Sequence, residues 1–319
     1  MSKFDVVTFG ETMIRLSPPG HGRLEAVDTL DFRTGGSESN TAIALARLGR
    51  QVAWWSKLPN NPLGRKIATQ VGRWGVDTSH VIWTPHGRAG VYFIELGVMP
   101  RRHEVYYDRA DSAASTLSPS EVDWSHLEQA RHLHLTGITS ALSAGCAASV
   151  ARAAQEARAK GLSVSFDTNY RRKLWPPGQA KSVISSVLPS VNLLFCPRDD
   201  ADIVFGVKGT SARIARHLQQ TFGVPAVVVT GSPDGVAAVD GERDLHSRNI
   251  RAMEVDRIGS GDAGNAGIIH GFLDGDLATG LRYGSAMAAL KLTVPGDELI
   301  VTKQEIEAVM NCAAGGVQR

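Results

Sequence analysis

The sequence predicts an α/β protein in which helices cover both faces of a mostly parallel sheet. Short runs rich in β-branched residues alternate with longer, alanine-rich amphipathic segments along most of the 319 residues. The chain contains no internal repeat and no low-complexity stretch. Its length is sufficient to bury a large core, either as one α/β domain with an appendage or as two medium domains.

The predicted elements follow this alternation along the chain. Gly10 ends the first strand, and Gly49 and Gly75 end the first two helices, since glycine commonly terminates a helix. The predicted strands are 6–9, 52–55, 132–135, 162–166, 191–195 and 226–229. The predicted helices are 40–48, 64–74, 143–159, 179–187, 211–222, 262–273, 277–292 and a small one at 303–310.

Two segments interrupt the alternation. Residues 12–34 have no helical period, and residues 90–107 contain two strands, Val91–Glu95 and His103–Tyr107, separated by a turn. Such hairpin-like pieces do not fit a doubly wound sheet, so the sequence predicts a small β-flap outside it, from about 12–34 and 88–110. A flap above the carboxyl ends of parallel strands is where a lid over a binding site lies.

Composition and charge exclude several classes of function. A net charge of +2 is too small a positive excess to indicate nucleic-acid binding, and a charged content of 21% is ordinary for a globular protein. No stretch has the roughly 18 apolar residues that a membrane span needs, and the apolar run near the N-terminus is too short for a signal peptide. Cys146, Cys196 and Cys312 are far apart, so neither a disulfide framework nor a zinc site is expected, and we expect a cytoplasmic protein.

The segment Asp256–Asp262 predicts a phosphoryl-binding site at the start of a helix. Gly259 and Gly261 flank Ser260 and allow successive backbone N–H groups to converge on an anion. The start of a helix adds unpaired N–H groups and partial positive charge. An ionised Asp262 beside such a pocket could take a proton from an incoming hydroxyl. The alternative is an ordinary glycine turn in which the aspartate only caps the helix.

Two glycines inside the same predicted helix point to a close contact. Gly264 and Gly267 each cost about 1 kcal/mol relative to alanine in a helix interior. A purely structural helix would be more stable without them. The close approach of a ligand or of a neighbouring element would explain them.

Two motifs, taken together, resemble the signatures of the PfkB or ribokinase-like family of carbohydrate kinases. Gly35–Asn40 is similar to the family's Gly-Gly-x-x-x-Asn near the sugar. Asp256–Asp262, about 220 residues later, is similar to its Asp-x-x-Gly-x-Gly-Asp at the phosphoryl site. The resemblance covers nearly the whole chain. It implies one ribokinase-like domain over residues 1–319, with a three-layer α/β/α architecture and the β-flap as a lid.

Other segments are similar to the 2-keto-3-deoxygluconate kinases within this family. The similar segments are Met13–Pro19, Tyr106–Arg109 followed by Ser112–Ser115, Asp167–Trp175 and Thr293–Asp297. The resemblance implies contacts to the sugar acid from Gly36, Tyr92, Tyr107, Arg109, Arg171, Asp262 and Asp297. Asn40 is a further candidate, either for a sugar contact or only for the cap of its helix.

Two arginine residues are the chemical argument that the substrate is an acid. The planar guanidinium binds a carboxylate through two parallel hydrogen bonds, and a neutral sugar would not need it. Arg109 and Arg171 follow predicted strand ends, where this architecture has its binding loops. The alternatives are surface ion pairs for both arginines and flap packing for Tyr92 and Tyr107. By composition alone, Asp297 is a turn residue.

The resemblance also implies the cofactors, ATP and Mg²⁺. The reaction would transfer the γ-phosphoryl group of ATP to the 6-hydroxyl of the sugar acid, with Asp262 as the base and the Gly259–Gly261 amides as the anion site. Residues Val228–Gly235 resemble the family's nucleotide-binding strand and turn, although a simple β-turn is the alternative. The nucleotide-binding candidates are Thr230, Gly231, Gly235 and Asp256. The chain has no Walker-type phosphate loop.

The chain departs from the family pattern at three positions. Where the family has Asn-x-x-Glu, this chain has Pro197–Asp200, which keeps a carboxylate at Asp200 as the candidate Mg²⁺ ligand but lacks the asparagine. Gly264 stands where an aromatic residue is common, and Ser37 adds a hydroxyl after the glycine pair.

The sequence leaves two alternative functions possible, and it also indicates an oligomer. A kinase for a neutral sugar, such as a fructokinase or ribokinase, and a non-catalytic sugar-acid-binding protein are the alternative functions. The sequence does not distinguish the gluconate-derived acid from its galactonate epimer. An exposed flap edge favours a homo-oligomer.

Overall fold

Strands and helices alternate along the chain in the computed structural model, which describes residues 2–312. The first eight strands are β1 (Phe4–Phe9), β2 (Met13–Ser17), β3 (Asp31–Gly35), β4 (Val52–Trp55), β5 (Lys57–Pro59), β6 (Val76–Asp77), β7 (Ile82–Thr84) and β8 (Val91–Glu95). The others are β9 (Glu104–Asp108), β10 (Ala130–Thr136), β11 (Ser163–Asp167), β12 (Leu193–Phe195), β13 (Ala226–Ser232), β14 (Gly235–Asp240) and β15 (Arg243–Ser247).

The helices occupy the alanine-rich segments. They are α1 (Ser37–Arg47), α2 (Pro62–Gly72), α3 (Gly137–Ser140), α4 (Ala144–Ala159), α5 (Pro177–Val187), α6 (Arg198–Asp200), α7 (Ser211–Phe222), α8 (Ser260–Leu273), α9 (Leu277–Leu292) and α10 (Lys303–Cys312). All eight helices that the sequence predicts are present, and α7 and α9 have the predicted bounds. Helix α1 begins three residues earlier than predicted, so the whole Ser37–Asn40 part of the first motif is helical.

The main sheet has nine strands in the order β15-β14-β13-β12-β11-β10-β1-β4-β6. Its strands pair in parallel from β13 to β6, which confirms the predicted mostly parallel sheet. The sequence does not predict the antiparallel pair β14 and β15 that ends the sheet. Ala237 and Ala238 have weak strand propensity, so the local pattern of β14 is not distinctive.

Separate hydrophobic clusters cover the two faces of the main sheet, which confirms the three-layer architecture. One face packs against α4, α5 and α7 through side chains such as Val150, Ile184 and Leu218. The other face packs against α1, α2, α8, α9 and α10. Alternate residues of a strand supply the two clusters: Val7 faces the first cluster, and Val6 faces the second.

Helices α8 and α9 lie unusually close together because glycines face each other across the contact. A Cβ atom on Gly267 would lie 2.6 Å from the backbone nitrogen of Gly284. One on Gly271 would lie 2.3 Å from the Cα atom of Gly280. Of the two explanations for glycine in the interior of α8, the structure therefore supports the neighbouring element. At Gly264, whose Cβ would be 3.5 Å from the nearest atom, the contact is an ordinary one.

The predicted β-flap is a separate four-stranded sheet in the order β3-β2-β8-β9. Strands β8 and β9 form the predicted antiparallel hairpin, although β9 lies one residue later than expected. Residues 12–34, which have no helical period, supply the other two strands, and β2 pairs with β8 in parallel. A small core under the flap contains Met13, Tyr92, Ile94 and Leu96. The flap thus covers part of the sheet edge without joining the main sheet.

Two further features concern the cysteines and the lengths of the helices. Cys146 and Cys196 are buried free thiols, whereas the side chain of Cys312 lies outside the described residues. Between residues 2 and 312, none of the helices is long and apolar enough to cross a membrane.

Candidate active site

A cleft of about 420 Å³ lies between the flap and the carboxyl ends of the central strands. This is the position at which open α/β sheets bind their ligands. The flap contributes Met13, Tyr92, Val105 and Tyr107 to its walls. The strand ends and helix starts contribute Gly35, Gly36, Ser37, Asn40, Asp167, Asn169, Arg171, Asp199, Asp200, Arg257, Gly259, Gly261, Asp262 and Asp297. The two sequence motifs, far apart in the chain, therefore meet at one cleft.

The carboxylate of Asp262 is held in a fixed orientation by the start of α1. Its Oδ1 accepts a hydrogen bond from the hydroxyl of Ser37 at 2.7 Å. Its Oδ2 accepts one from the side-chain amide of Asn40 at 2.7 Å. Burial raises the pKa of Asp262 above its ordinary value, while the two hydrogen bonds lower it. The alternative of Asn40 as a helix cap is wrong, because the cap position of α1 is Gly36. The side-chain amide of Asn40, inside the helix, orients the predicted base instead.

The backbone at the start of α8 forms the predicted anion site in part. Gly259 has φ +83°, and a Cβ atom there would lie 2.0 Å from the carbonyl oxygen of Asp297. The N–H of Ser260 donates to the carbonyl of Arg257 at 3.2 Å. Among the described residues, no protein acceptor takes the N–H groups of Gly259, Gly261 or Asp262. These three amides are available to an anion, whereas that of Ser260 is engaged.

Asp167 and Asn169 connect to the base, and the sequence did not single them out as site residues. Asp167 Oδ2 accepts hydrogen bonds from the side-chain amides of Asn265 at 2.8 Å and Asn169 at 3.2 Å. The same Asn169 nitrogen donates to the Ser37 hydroxyl at 2.9 Å, which in turn donates to Asp262. Burial, together with nearby Asp200 and Asp262, raises the pKa of Asp167 to about 7. For Asp167 and Asn169, the sequence signal was the similarity of the Asp167–Trp175 segment to the 2-keto-3-deoxygluconate kinases.

A buried ion cluster supports the floor of the cleft. Arg15 donates to Asp297 Oδ1 and to Asp256 Oδ2, each at 2.6 Å. Tyr92 donates its hydroxyl to Asp297 Oδ2, also at 2.6 Å. Burial opposes the charge of Arg15, but Asp297, Tyr92 and Asp256 raise its pKa above the ordinary value. Asp297 lines the cleft, whereas Asp256 is fully buried beneath it and is engaged by Arg15 and by the N–H groups of Ile258 and Gly296.

The two arginines expected at the sugar acid lie in different environments. Arg171 is exposed, lines the cleft and donates only to the carbonyl of Tyr170 at 3.2 Å among the described residues. Arg109 is buried, does not line the cleft and pairs with Glu11. Its guanidinium lies 5.6 Å from the centre of the Tyr107 ring, so it contacts the cleft through that ring. Arg257, an exposed arginine that we did not predict, also lines the cleft.

Three of the four candidates for nucleotide binding lie in the β13–β14 hairpin, whereas the fourth, Asp256, belongs to the buried ion cluster. Thr230 and Gly231 belong to β13, and Gly231 has φ +82°. Gly235 begins β14, where a Cβ atom would lie 2.1 Å from the carbonyl oxygen of Ser247. Ser247 also lines a second cavity, which has a volume of about 330 Å³. Both interpretations of this segment include a turn between two strands, and that turn is present; the contact of Gly235 with Ser247 places the hairpin at the wall of the cavity.

Known proteins match this chain over nearly its whole length. The pfkB family carbohydrate kinases match residues 3–303. The chain belongs to the PfkB family of carbohydrate kinases. It is 40% identical to the 2-dehydro-3-deoxygalactonokinase of Haloferax volcanii over 99% of both chains. It is 33% identical to the 2-dehydro-3-deoxygluconokinase of Bacillus subtilis, over 92% of this chain and 91% of that protein.

A solved structure agrees with this assignment. The crystal structure of 2-dehydro-3-deoxygluconokinase from Thermotoga maritima superposes with a TM-score of 0.92. The two chains are 33% identical, and the match covers 97% of this chain and 98% of that one. The architecture is therefore ribokinase-like, and the chain is an enzyme that transfers a phosphoryl group to an alcohol.

The acidic residues of the cleft supply too few ligands for a metal ion, so a bound nucleotide and water would have to complete its coordination. Within residues 2–312, no three His, Cys, Asp or Glu side chains are grouped to bind a metal by themselves. Asp199 and Asp200 line the cleft, and Asp200 Oδ2 already accepts hydrogen bonds from the Thr168 hydroxyl and the Tyr170 N–H. Mg²⁺ usually takes one or two protein carboxylates and completes its shell with phosphates and water. This donor set fits a Mg²⁺ ion that enters bound to a nucleotide.

Proposed function

We propose that this enzyme transfers the γ-phosphoryl group of ATP to the 6-hydroxyl of 2-keto-3-deoxygluconate or of its galactonate epimer. The chain's relatives named as 2-dehydro-3-deoxygalactonokinase and 2-dehydro-3-deoxygluconokinase support this class of substrate. Asp262 accepts the proton of the attacking hydroxyl. The oxygen of that hydroxyl forms a bond to the γ-phosphorus, and the bond from that phosphorus to the leaving oxygen of ADP breaks.

The observation that carries the proposal is the orientation of Asp262. Both carboxylate oxygens are fixed by Ser37 and Asn40 at the wall of the cleft. Asp262 lies in the first turn of α8, where the N–H groups of Gly259 and Gly261 have no acceptor among the described residues. Because the carboxylate is already held in one orientation, less conformational entropy is lost when the base and the hydroxyl reach the reactive geometry. The free N–H groups of Gly259 and Gly261 are available to stabilise negative charge on the transferred group.

Recognition of the sugar acid rests on Arg171 and the flap. Arg171 is a cleft-lining cation whose side chain makes one described hydrogen bond, so its remaining N–H groups are available to a carboxylate. Tyr92, Tyr107, Gly36, Asn40 and Asp297 line the same cleft and are proposed to contact the hydroxyls. Arg109 is proposed to act through Tyr107, because its guanidinium faces that ring and pairs with Glu11.

ATP is proposed to bind across the β13–β14 hairpin and the second cavity. The side-chain amide of Asn249 donates to the carbonyls of Ser232 and Pro233, which fixes the hairpin turn against the cavity wall. Arg248, Arg251 and Arg282 line this cavity and give it positive charge. Thr230, Gly231 and Gly235 form the strand end and turn beside it. Asp256, which is fully buried, is proposed to support the phosphoryl loop from below.

Magnesium is proposed to enter with ATP and to be held by Asp200 and Asp199. When bound, the ion supplies positive charge that offsets the charge of the phosphates. The protein's own contribution is to keep two carboxylates in the wall of the cleft, with Asp200 fixed by Thr168 and by the N–H of Tyr170.

A panel of acceptors tests the proposed function directly. The purified protein is incubated with ATP, Mg²⁺ and, separately, 2-keto-3-deoxygluconate, 2-keto-3-deoxygalactonate, fructose, ribose and adenosine, and ADP formation is measured. We expect turnover with one or both sugar acids. Faster turnover with a neutral sugar would instead assign a fructokinase-like or ribokinase-like activity, and absence of turnover with every acceptor would contradict the proposed function.

Replacing Arg171 with glutamine is expected to raise KM for the sugar acid by roughly 10–100-fold, with a much smaller effect on kcat. Loss of a charged hydrogen bond to a carboxylate costs about 1.5–3 kcal/mol, which corresponds to that range. Steady-state kinetics of the variant provide the measurement. Arg172→Gln is the matched control, because Arg172 is also exposed but does not line the cleft. An unchanged KM in Arg171→Gln would remove this residue from substrate recognition.

The flap is proposed to join two copies of the chain. Its edge strands are β3 and β9, and each exposes an aromatic side chain: Phe32 is 43% exposed and Tyr106 is 53% exposed. An exposed strand edge with apolar side chains favours pairing with another copy. We expect light scattering after size exclusion to give at least a dimer, and the double variant Phe32→Glu/Tyr106→Glu to give a monomer. A monomeric wild-type protein would contradict this assembly.

A further inference from the structure

The proposed mechanism gives no role to Lys291, whose charged side chain is completely buried. This residue lies in the last turn of α9 and has no exposed surface. Its ammonium donates to the carbonyl oxygen of Val294 at 2.9 Å and to that of Asp256 at 3.1 Å. Lysine is rarely buried unless it is paired, because removing an ammonium from water is costly.

The two carbonyls belong to the two loops that form the phosphoryl pocket. Asp256 lies in the loop between β15 and α8, which ends at Gly259, whereas Val294 lies in the loop between α9 and α10, which also contains Asp297. These loops touch each other where a Cβ atom on Gly259 would meet the carbonyl oxygen of Asp297. The buried Lys291 ammonium therefore links the two loops through one backbone carbonyl of each.

Charge balance in the buried cluster favours a charged ammonium. Asp256 and Asp297 supply two negative charges, and Arg15 supplies one positive charge through hydrogen bonds to both. All three side chains are at most 5% exposed. Lys291 supplies the second positive charge, so the cluster is neutral only when Lys291 is protonated.

We propose that Lys291 is a positioning residue whose ammonium serves as a built-in monovalent cation, holding the two loops of the phosphoryl pocket together. Backbone carbonyl oxygens of this kind also bind K⁺ and NH₄⁺, which are singly charged and similar in size to the lysine head group. The wild-type protein needs no such ion from solution because its own side chain fills the position. Truncation of the side chain opens a carbonyl-lined cavity that fits these ions.

Lys291→Ala tests the proposal through stability, a readout that does not depend on the proposed function. In buffer whose only monovalent cation is tetramethylammonium, Tm of the variant is expected to fall by about 5 °C or more. Adding NH₄⁺ or K⁺ is expected to restore at least half of that loss, whereas Li⁺ restores little of it. The wild-type Tm should respond equally to all of these chlorides.

Three controls separate an ion site from a general effect of salt. Lys291→Met removes the charge but fills most of the volume, so neither NH₄⁺ nor K⁺ should stabilise it more than Li⁺. Lys208→Ala, at an exposed surface lysine, should match the wild type in every buffer. If the substrate panel identifies an acceptor, kcat of Lys291→Ala should rise at least tenfold on adding NH₄⁺, while KM for the acceptor changes little.

Several results would overturn the proposal. One is a Tm of Lys291→Ala that does not distinguish K⁺ and NH₄⁺ from Li⁺. Another is an equal response of the alanine and methionine variants to these ions. If Lys291→Ala does not fold, the wild-type protein decides the question: a specific rise in its Tm with K⁺ would show that an ion site is already open. Absence of turnover on every acceptor would refute the proposed function and leave this test unaffected.

Discussion

Replacing Asp262 with asparagine is expected to lower kcat by roughly 10²–10⁴-fold, the usual contribution of a general base. Asparagine has the same shape but does not accept a proton at neutral pH, so the hydroxyl would attack without a base. The cleft and the start of α1 keep their positions, so the dissociation constant of the sugar acid should change little. Steady-state kinetics and calorimetric titration with the acid measure the two effects separately.

The alternative interpretation, in which Asp262 only caps α8, can be tested against another helix-capping aspartate of this chain. Asp276 caps the next helix, α9, by accepting a hydrogen bond from the N–H of Thr279 at 3.0 Å. Asparagine caps a helix as well as aspartate does, so Asp276→Asn should keep full activity and stability. Equal, small effects in Asp262→Asn and Asp276→Asn would reduce Asp262 to a cap.

The pH dependence of the wild-type enzyme follows from the environment of the same carboxyl group. Burial raises the pKa of Asp262, so this group becomes protonated at a higher pH than an exposed aspartate does. A base must be deprotonated to act, so kcat/KM should fall as pH decreases through that raised value. The acid limb of the pH profile should therefore lie above the ordinary range of aspartate. It should be absent from the residual activity of Asp262→Asn.

Replacing Gly259 with alanine is expected to lower Tm and to lower kcat by about tenfold or more. The residue has φ +83°, where an L side chain costs roughly 1–2 kcal/mol, and the new Cβ atom would lie 2.0 Å from the carbonyl oxygen of Asp297. The two loops of the phosphoryl pocket must separate to relieve this overlap. Because about 1.4 kcal/mol is a factor of ten in rate, even a small displacement of the free amides is measurable.

Gly261 is the control for this substitution. It lies in the first turn of α8 without a positive φ, and a Cβ atom there would have no neighbour within 4 Å. Alanine is favoured over glycine in a helix by about 1 kcal/mol, so Gly261→Ala should keep or raise Tm. A loss of stability in Gly261→Ala as large as that in Gly259→Ala would contradict the explanation from close loop contact.

Local patterns in the sequence predicted most elements because each pattern is short and complete within its own segment. The alternation of β-branched runs with alanine-rich segments was sufficient for six of the seven parallel strands, all except the two-residue β6, and for the eight predicted helices. The strands β14, β2 and β3 were not predicted, because the pattern of β14 is weak and residues 12–34 have no period. These strands form by pairing with other strands. Such strands are specified by tertiary contacts more than by their own composition.

The site was predictable as a set of residues, whereas its contacts were not. The motifs at Gly35–Asn40 and Asp256–Asp262 do line one cleft. No local pattern shows that Asn40 donates to Asp262, or that Arg109 pairs with Glu11 rather than facing the cleft. These contacts join residues 222 and 98 positions apart, so only the folded chain defines them.

The central claim is that the carboxylate of Asp262 takes the proton during phosphoryl transfer. A single-turnover experiment tests it most directly: excess enzyme is mixed with γ-labelled ATP, Mg²⁺ and saturating 2-keto-3-deoxygluconate or its epimer, then quenched at successive times. For the wild type, labelled sugar-acid phosphate should form in a fast first turnover. For Asp262→Asn, the same bound complex should form product at least a hundredfold more slowly. An equally fast first turnover in that variant would contradict the claim.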